Sequence, residues 1–214
     1  VKKTKKRVPD DLAKTALRPT LGARADLLAA GEVVISSKGF ARATVEEIAE
    51  KAGVDADVFY ALFQGKGALL RALNEQFVKQ LIAAIDEATQ SGTWSSASAG
   101  ELLEVAVRSI LDVVMEKQGL VRAFLAHGAT DRSLADGLRR IGTHLTERVT
   151  VSLGECKDAP AANDKAIAFS LLLSVALAHH SILVGDEWSG ISFTRQELTH
   201  ELARAIGAYL ALDA

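Results

Sequence analysis

Apolar positions along the chain recur mostly at helical spacing, and residues that start or stop helices stand between the runs. From Leu21, the apolar residues Leu27, Leu28, Val33, Val34 and Ile35 keep near-helical intervals until Lys38 and Gly39, a basic last turn followed by the residue that most easily closes a helix. Thr44 with Glu47 forms a capping box, each side chain satisfying the other's free backbone N–H, and predicts a short second helix over Val45 to Ala52. Gly53 and Val54 make a turn, Asp55 offers a cap, and Val58, Phe59, Tyr60, Leu62 and Phe63 form a third short segment. From Lys66 the positions Leu69, Leu73, Phe77, Leu81, Ile85 and Ala88 fall on one stripe of a long fourth helix, which must be buried against something.

Between Gln90 and Gly100 the composition shifts to Ser, Gly, Thr and Ala around Trp94, the signature of a loop. Ser98 with Glu101 caps the next helix, which runs through Leu102, Val105, Val107, Ile110, Leu111, Val114 and Met115 to near Gly119. A further apolar stretch follows from Leu120 to His127, and Asp131 or Ser133 opens another that reaches roughly Leu153. After a loop from Gly154 to Pro160 comes the most hydrophobic helix, about 164–184. Following a second loop over Gly185 to Ser192, Thr194 with Glu197 caps the last helix, which runs to about Leu210. The pattern predicts an all-α fold of about nine helices, with no strand and no repeat of fixed period.

Composition agrees. The 214 residues are 49% hydrophobic and 24% charged with three prolines, a balance that suits a packed helical protein and excludes a disordered or fibrous chain. The longest nearly apolar run, Ala166 to Ala178, is shorter than the ~20 residues that cross a bilayer and predicts a buried helix. The first twenty residues lack the apolar centre of a secretory leader, and the single Cys156 excludes an internal disulfide framework, so the expectation is a cytoplasmic protein without a membrane partner.

The net charge of −2 conceals an asymmetry. Residues 1–20 carry seven cations, Lys5, Lys6 and Arg7 among them, against Asp10 and Asp11, a net of +5. Residues 21–65 carry four basic and seven acidic groups, a net of −3. A cationic segment without apolar periodicity is expected to be a flexible arm that meets nucleic acid or another anionic surface.

Two short helices joined by a turn containing Gly53, with apolar knobs Ile48 and Ala49 on one and Val58 and Phe59 on the other, describe a helix-turn-helix. Together with Arg24, Gly39, Phe40, the run Thr44 to Ala49, the run Ala52 to Val54, Tyr60, Phe63, Lys66, Leu69 and Leu70, these residues resemble the N-terminal domain of the tetracycline-repressor (TetR) family of transcriptional regulators. The resemblance covers about residues 21–72. Beyond it the chain is similar to the family only in length, helix count and loop positions. The resemblance implies a basic arm over 1–20, a helix-turn-helix DNA-binding domain over 21–66 and a larger C-terminal effector-binding and dimerisation domain over 67–214. It also implies a homodimer, paired through about 164–184 and 194–210, that binds a palindromic operator on duplex DNA, acts as a repressor and is released by a small hydrophobic or aromatic effector.

Carried over position by position, the DNA contacts implied are Thr44, Tyr60 and Lys66 to phosphate oxygens, with Asp55, Ala56 and Asp57 opening the recognition helix and Lys5, Lys6 and Arg7 following the backbone from the arm. The sequence departs from the family here: no cation lies between Lys51 and Lys66, and Ala61 and Leu62 stand where polar residues are common. Asp55 and Asp57 stabilise a helix start by ~0.3–1 kcal/mol each through the dipole, and an aspartate there can accept from a cytosine amino group, yet both repel phosphate. The arm is expected to compensate. The other reading is a TetR-fold protein with weak or lost DNA binding that serves as the ligand-binding partner of another regulator.

For the effector, the candidates are Trp94, Met115, Phe124, His127, His144, Phe169, Leu173 and His180. His179 and His180, being adjacent, point about 100° apart on a helix, and no Cys/His cluster has ligand spacing, so neither a metal nor another cofactor is expected. No nucleophile elbow, phosphate loop or dinucleotide turn appears, which argues against an enzyme.

Overall fold

In the computed structural model, residues 21–159, 164–185, 187–188 and 190–210 are described, and the basic arm lies outside them. Among the described residues nine helices follow in order: α1 (Leu21–Lys38), α2 (Val45–Ala52), α3 (Ala56–Leu62), α4 (Lys66–Ala88), α5 (Ala99–Glu116), α6 (Gln118–Gly128), α7 (Arg132–Glu155), α8 (Asp164–Leu183) and α9 (Arg195–Tyr209). The chain is all-α apart from one detail the periodicity did not predict. Between α8 and α9 a two-residue strand, β1 (Glu187–Trp188), pairs antiparallel with β2 (Ile191–Ser192). Four paired residues are too few to leave an alternating pattern in a loop.

The described helices fall into two compact units, one ending at Ala72 and the other beginning at Leu73, both within the continuous helix α4. In the first unit α1 packs on α2 and α3. Leu27, Ile35, Ile48, Phe59 and Leu69 are fully buried and form its centre. Gly31 permits this packing, because a Cβ there would stand 2.6 Å from Cδ2 of Leu69. Thr44 caps α2 by accepting from Glu47 N at 3.2 Å while the Glu47 carboxylate accepts from Thr44 N at 3.3 Å. Gly53 closes the helix at φ 69°, a left-handed conformation that glycine adopts without strain.

In the second unit α7 packs along α8, and α9 buries Thr199, Leu202 and Ile206 largely against α5. The capping boxes Ser98 with Glu101 and Thr194 with Glu197 both form. Asp131 rather than Ser133 is the cap of α7, accepting from Ser133 N at 3.0 Å. The break between α5 and α6 falls at Lys117, not near Gly119. Gly137 lets α7 approach α4, where a Cβ would stand 2.5 Å from Oδ1 of the buried Asn74.

The expectation of a buried α8 needs correction. Ile167, Ser170, Leu171, Ala178, Ser181 and Ile182 are buried, but Phe169, Leu172, Leu173, Ala176 and Leu183 are exposed. At 20 residues this helix is long and apolar enough to cross a membrane by length and composition alone, with 28% of its apolar window buried. The periodicity could not show this, because a helix apolar on every side has no polar face to mark which sides are covered.

Candidate functional site

In the helix-turn-helix, the buried ring of Phe59 anchors α3 from below, with Phe63 tilted against it at 5.6 Å and the guanidinium of Arg24 on α1 5.0 Å from the Phe63 ring centre. Phe59 also meets Tyr60 edge-on at 5.6 Å, which leaves the Tyr60 ring 55% exposed with its phenol outward. The outer surface of α3 is therefore Asp57, Tyr60 and Ala61, preceded by the exposed Asp55, with Ala56 half-buried beside it. Asp55 does not cap the helix with its side chain, contrary to the sequence expectation. Its backbone carbonyl accepts from Val58 N and Phe59 N, and its carboxylate is left to solvent. Thr44 is exposed and spends its hydroxyl oxygen on the capping bond while its O–H remains able to donate.

Lys66 has a different arrangement from the one implied by resemblance. Its ammonium donates to the carbonyls of Phe40 at 3.1 Å, Ala41 at 3.4 Å and Ala43 at 2.5 Å, and lies 5.0 Å from the Phe40 ring centre. All three protons are thus turned onto carbonyls of the loop between α1 and α2. Lys66 fixes the loop that presents Thr44. In the same loop the exposed Arg42 donates from Nε to the carbonyl of Lys38 at 2.8 Å, and Lys38 pairs with Glu47. Arg42 was not among the sequence candidates; a cation two residues ahead of a capping threonine was the available signal.

In the second unit a cavity of about 650 Å³ lies among α4 to α8. Its walls are mostly apolar, including Phe77, Ile110, Val121, Leu145, Leu171 and Val175, and its polar groups are Arg139, Thr143, Thr146, Glu147 and His179. None of the eight predicted effector residues lines it. Phe124 is fully buried behind the wall, its ring 5.6 Å from that of Phe77. Trp94, in the loop before α5, is buried, and Met115 and His127 are half-buried. His144 bonds Asp86 at 2.8 Å, a carboxylate also paired with Arg148 at 3.3 Å. Phe169 and Leu173 lie on the exposed side of α8, Phe169 with its ring 5.5 Å from that of Tyr209 on α9. His180, next in sequence to the lining residue His179, is also absent from the wall. Burial pushes the His179 imidazole below its ordinary pKa, so it is neutral near pH 7. Among the described residues no group of three or more His, Cys, Asp or Glu is gathered to hold a metal ion.

Residues 27–73 match the model of bacterial regulatory proteins of the tetR family. No curated protein matches the sequence. Among solved structures, a transcriptional regulator from Rhodococcus sp. Rha1 is similar at 22% identity and TM-score 0.70, over 88% of this chain and 96% of that one. A tetR-family transcriptional regulator from Streptomyces coelicolor is similar at 18% identity and TM-score 0.71, over 88% and 80%. The fatty acid degradation regulator FadR from Bacillus halodurans is similar at 15% identity and TM-score 0.64, over 94% and 96%.

Proposed function

We propose, from the match of residues 27–73 to the tetR family of bacterial regulatory proteins and from a fold shared with solved regulators, that this chain is a homodimeric, ligand-responsive repressor of transcription. The single observation that carries the reading is the helix-turn-helix itself: Phe59 buried, Tyr60 outward, and Thr44 held at the head of α2 by a loop that Lys66 clamps. Such a motif lays its second helix in a major groove while hydroxyls and cations around it hold phosphate oxygens. Thr44, Tyr60 and Arg42 are the phosphate donors of this account. Asp55, Ala56 and Asp57 face the bases, and Lys5, Lys6 and Arg7 of the arm supply the cations that α3 lacks. A protein with this task works in the cytoplasm and needs no cofactor, and no catalytic role is assigned to it.

A second copy is the proposed cover for the exposed apolar stripe of α8. Phe169, Leu172, Leu173, Ala176 and Leu183 recur at helical spacing on one side, continued by Tyr209 of α9. A contiguous apolar face of this kind is unfavourable in water and is characteristic of a dimer interface. The cavity among α4 to α8 is the proposed effector site, an apolar space with a few polar groups at its walls.

The exposed carboxylates of Asp55, which makes no side-chain cap bond, and Asp57 favour a second reading, in which DNA binding is weak and the protein partners another regulator. A gel shift with the DNA upstream of its own gene, run over a range of salt, separates the two. The repressor reading predicts a shifted complex whose affinity falls with salt, and a chain lacking residues 1–18 that binds more weakly with a flatter salt slope. No shift at low salt supports the second reading, and an arm deletion without effect removes the arm from the first.

A further inference from the structure

The cavity has a direction. On α8 its lining residues Ala168, Leu171, Val175 and His179 form a stripe about 16 Å long, taking the helical rise as about 1.5 Å per residue. On α7 the lining runs from Leu138 and Arg139 to Thr146 and Glu147. Helix α7 ends at Glu155, α8 begins at Asp164, and the two pack along each other, so they run antiparallel. Arg139 and His179 therefore belong to the same end of the cavity, and Glu147, about two turns further along α7, lies toward the other.

The two ends differ in charge and in what they offer. Arg139 is paired with Asp136 at 2.8 Å, but its side chain is 73% exposed, and an ion pair so open to water contributes little and yields to a better acceptor. Among the described residues the His179 imidazole has no hydrogen-bond partner, and its neutral ring carries one N–H to donate. Toward the other end Glu147 repels an anion. An occupant that buries an apolar body against Phe77, Ile110, Val121 and Leu171 meets the donors of Arg139 and His179 at one end, while between Arg139 and Glu147 the wall carries Thr143 and Thr146, the latter donating to the Gly142 carbonyl.

We propose that the cavity binds an elongated aliphatic carboxylate, with its chain lying between α7 and α8 and its carboxylate accepting hydrogen bonds from Arg139 and His179. The proposal deepens the effector reading given above and rests on it for its regulatory meaning, but the binding itself is independent of DNA. An Arg guanidinium matches a carboxylate with two parallel donors, and the imidazole N–H adds a third. The apolar stripe is long enough for an extended chain to lie along it.

Titration calorimetry of the full chain without DNA tests this, with decanoate, decanol and naphthalene as probes. Decanoate is expected to bind one per chain, decanol about tenfold more weakly, and naphthalene more weakly still. The double variant Arg139→Gln/His179→Phe, altered at positions outside the buried core, is expected to bring decanoate down to the affinity of decanol and leave decanol unchanged. Val175→Trp and Ala168→Trp, which fill the cavity at two different levels, are each expected to abolish binding of both chains. Equal binding of decanoate and decanol, or a double variant that retains decanoate affinity, overturns the carboxylate assignment. Tryptophan variants that bind as well as the parent overturn the location. If decanol or naphthalene instead binds tightly and releases operator DNA, only the present inference falls. If the parent protein shifts DNA and no probe binds, the inference falls while the DNA-binding reading stands.

Discussion

At the scale of single residues, Lys66 holds the loop that presents Thr44 instead of leaving its ammonium to solvent. Its ammonium satisfies carbonyls of Phe40, Ala41 and Ala43, residues 23 to 26 positions away, so its role depends on a fold-back that no local pattern records. Lys66→Met is expected to destabilise the N-terminal unit by about 1–3 kcal/mol, since three acceptors lose a charged donor. Chemical denaturation followed by circular dichroism measures it. A variant with unchanged stability but a lower salt slope in DNA binding would return Lys66 to the phosphate-contact role. The same long-range dependence decides which apolar residues line the cavity. Leu171, Leu173 and Val175 are equally apolar in sequence, and only packing decides that the first and third line a cavity while the second faces solvent. Thr44 with Glu47 was legible because both partners sit within four residues of each other.

At the scale of elements, three helices begin with the same device, and it fixes a pH dependence. The Glu47 carboxyl is held below its ordinary pKa chiefly by its hydrogen bond with Lys38, and those of Glu101 and Glu197 chiefly by the backbone N–H of Ser98 and Thr194. A carboxyl with a lower pKa in the folded state stabilises the fold once pH exceeds its unfolded value, and that stabilisation is lost as pH falls through the folded value. Replacing all three by Gln keeps a side-chain acceptor in each box but removes the titration. The parent is therefore expected to lose more thermal stability than the triple Gln variant between neutral and acidic pH, as followed by melting temperature. Parallel losses in the two proteins would contradict this. Helix starts of this kind were legible from sequence, whereas the β1–β2 hairpin and the break at Lys117 were not, because neither rests on a strong local signal.

At the scale of the whole molecule, the account requires two chains. The all-α class and the helix-turn-helix followed from periodicity and capping, whereas the side of α8 left exposed in the single chain did not, although the resemblance implied pairing through about 164–184. Leu173→Lys is expected to yield a folded monomer, as Leu173 is 48% exposed in the single chain and its replacement opens no cavity there. Sedimentation velocity with circular dichroism checks both halves of that statement. The most direct measurement is the mass of the complex formed with the protein's own promoter fragment, by size exclusion with light scattering at low salt. The account predicts a discrete complex holding two chains per operator, reduced or lost in the Leu173→Lys variant. A single chain on the DNA, or free DNA and free protein eluting apart, would contradict it.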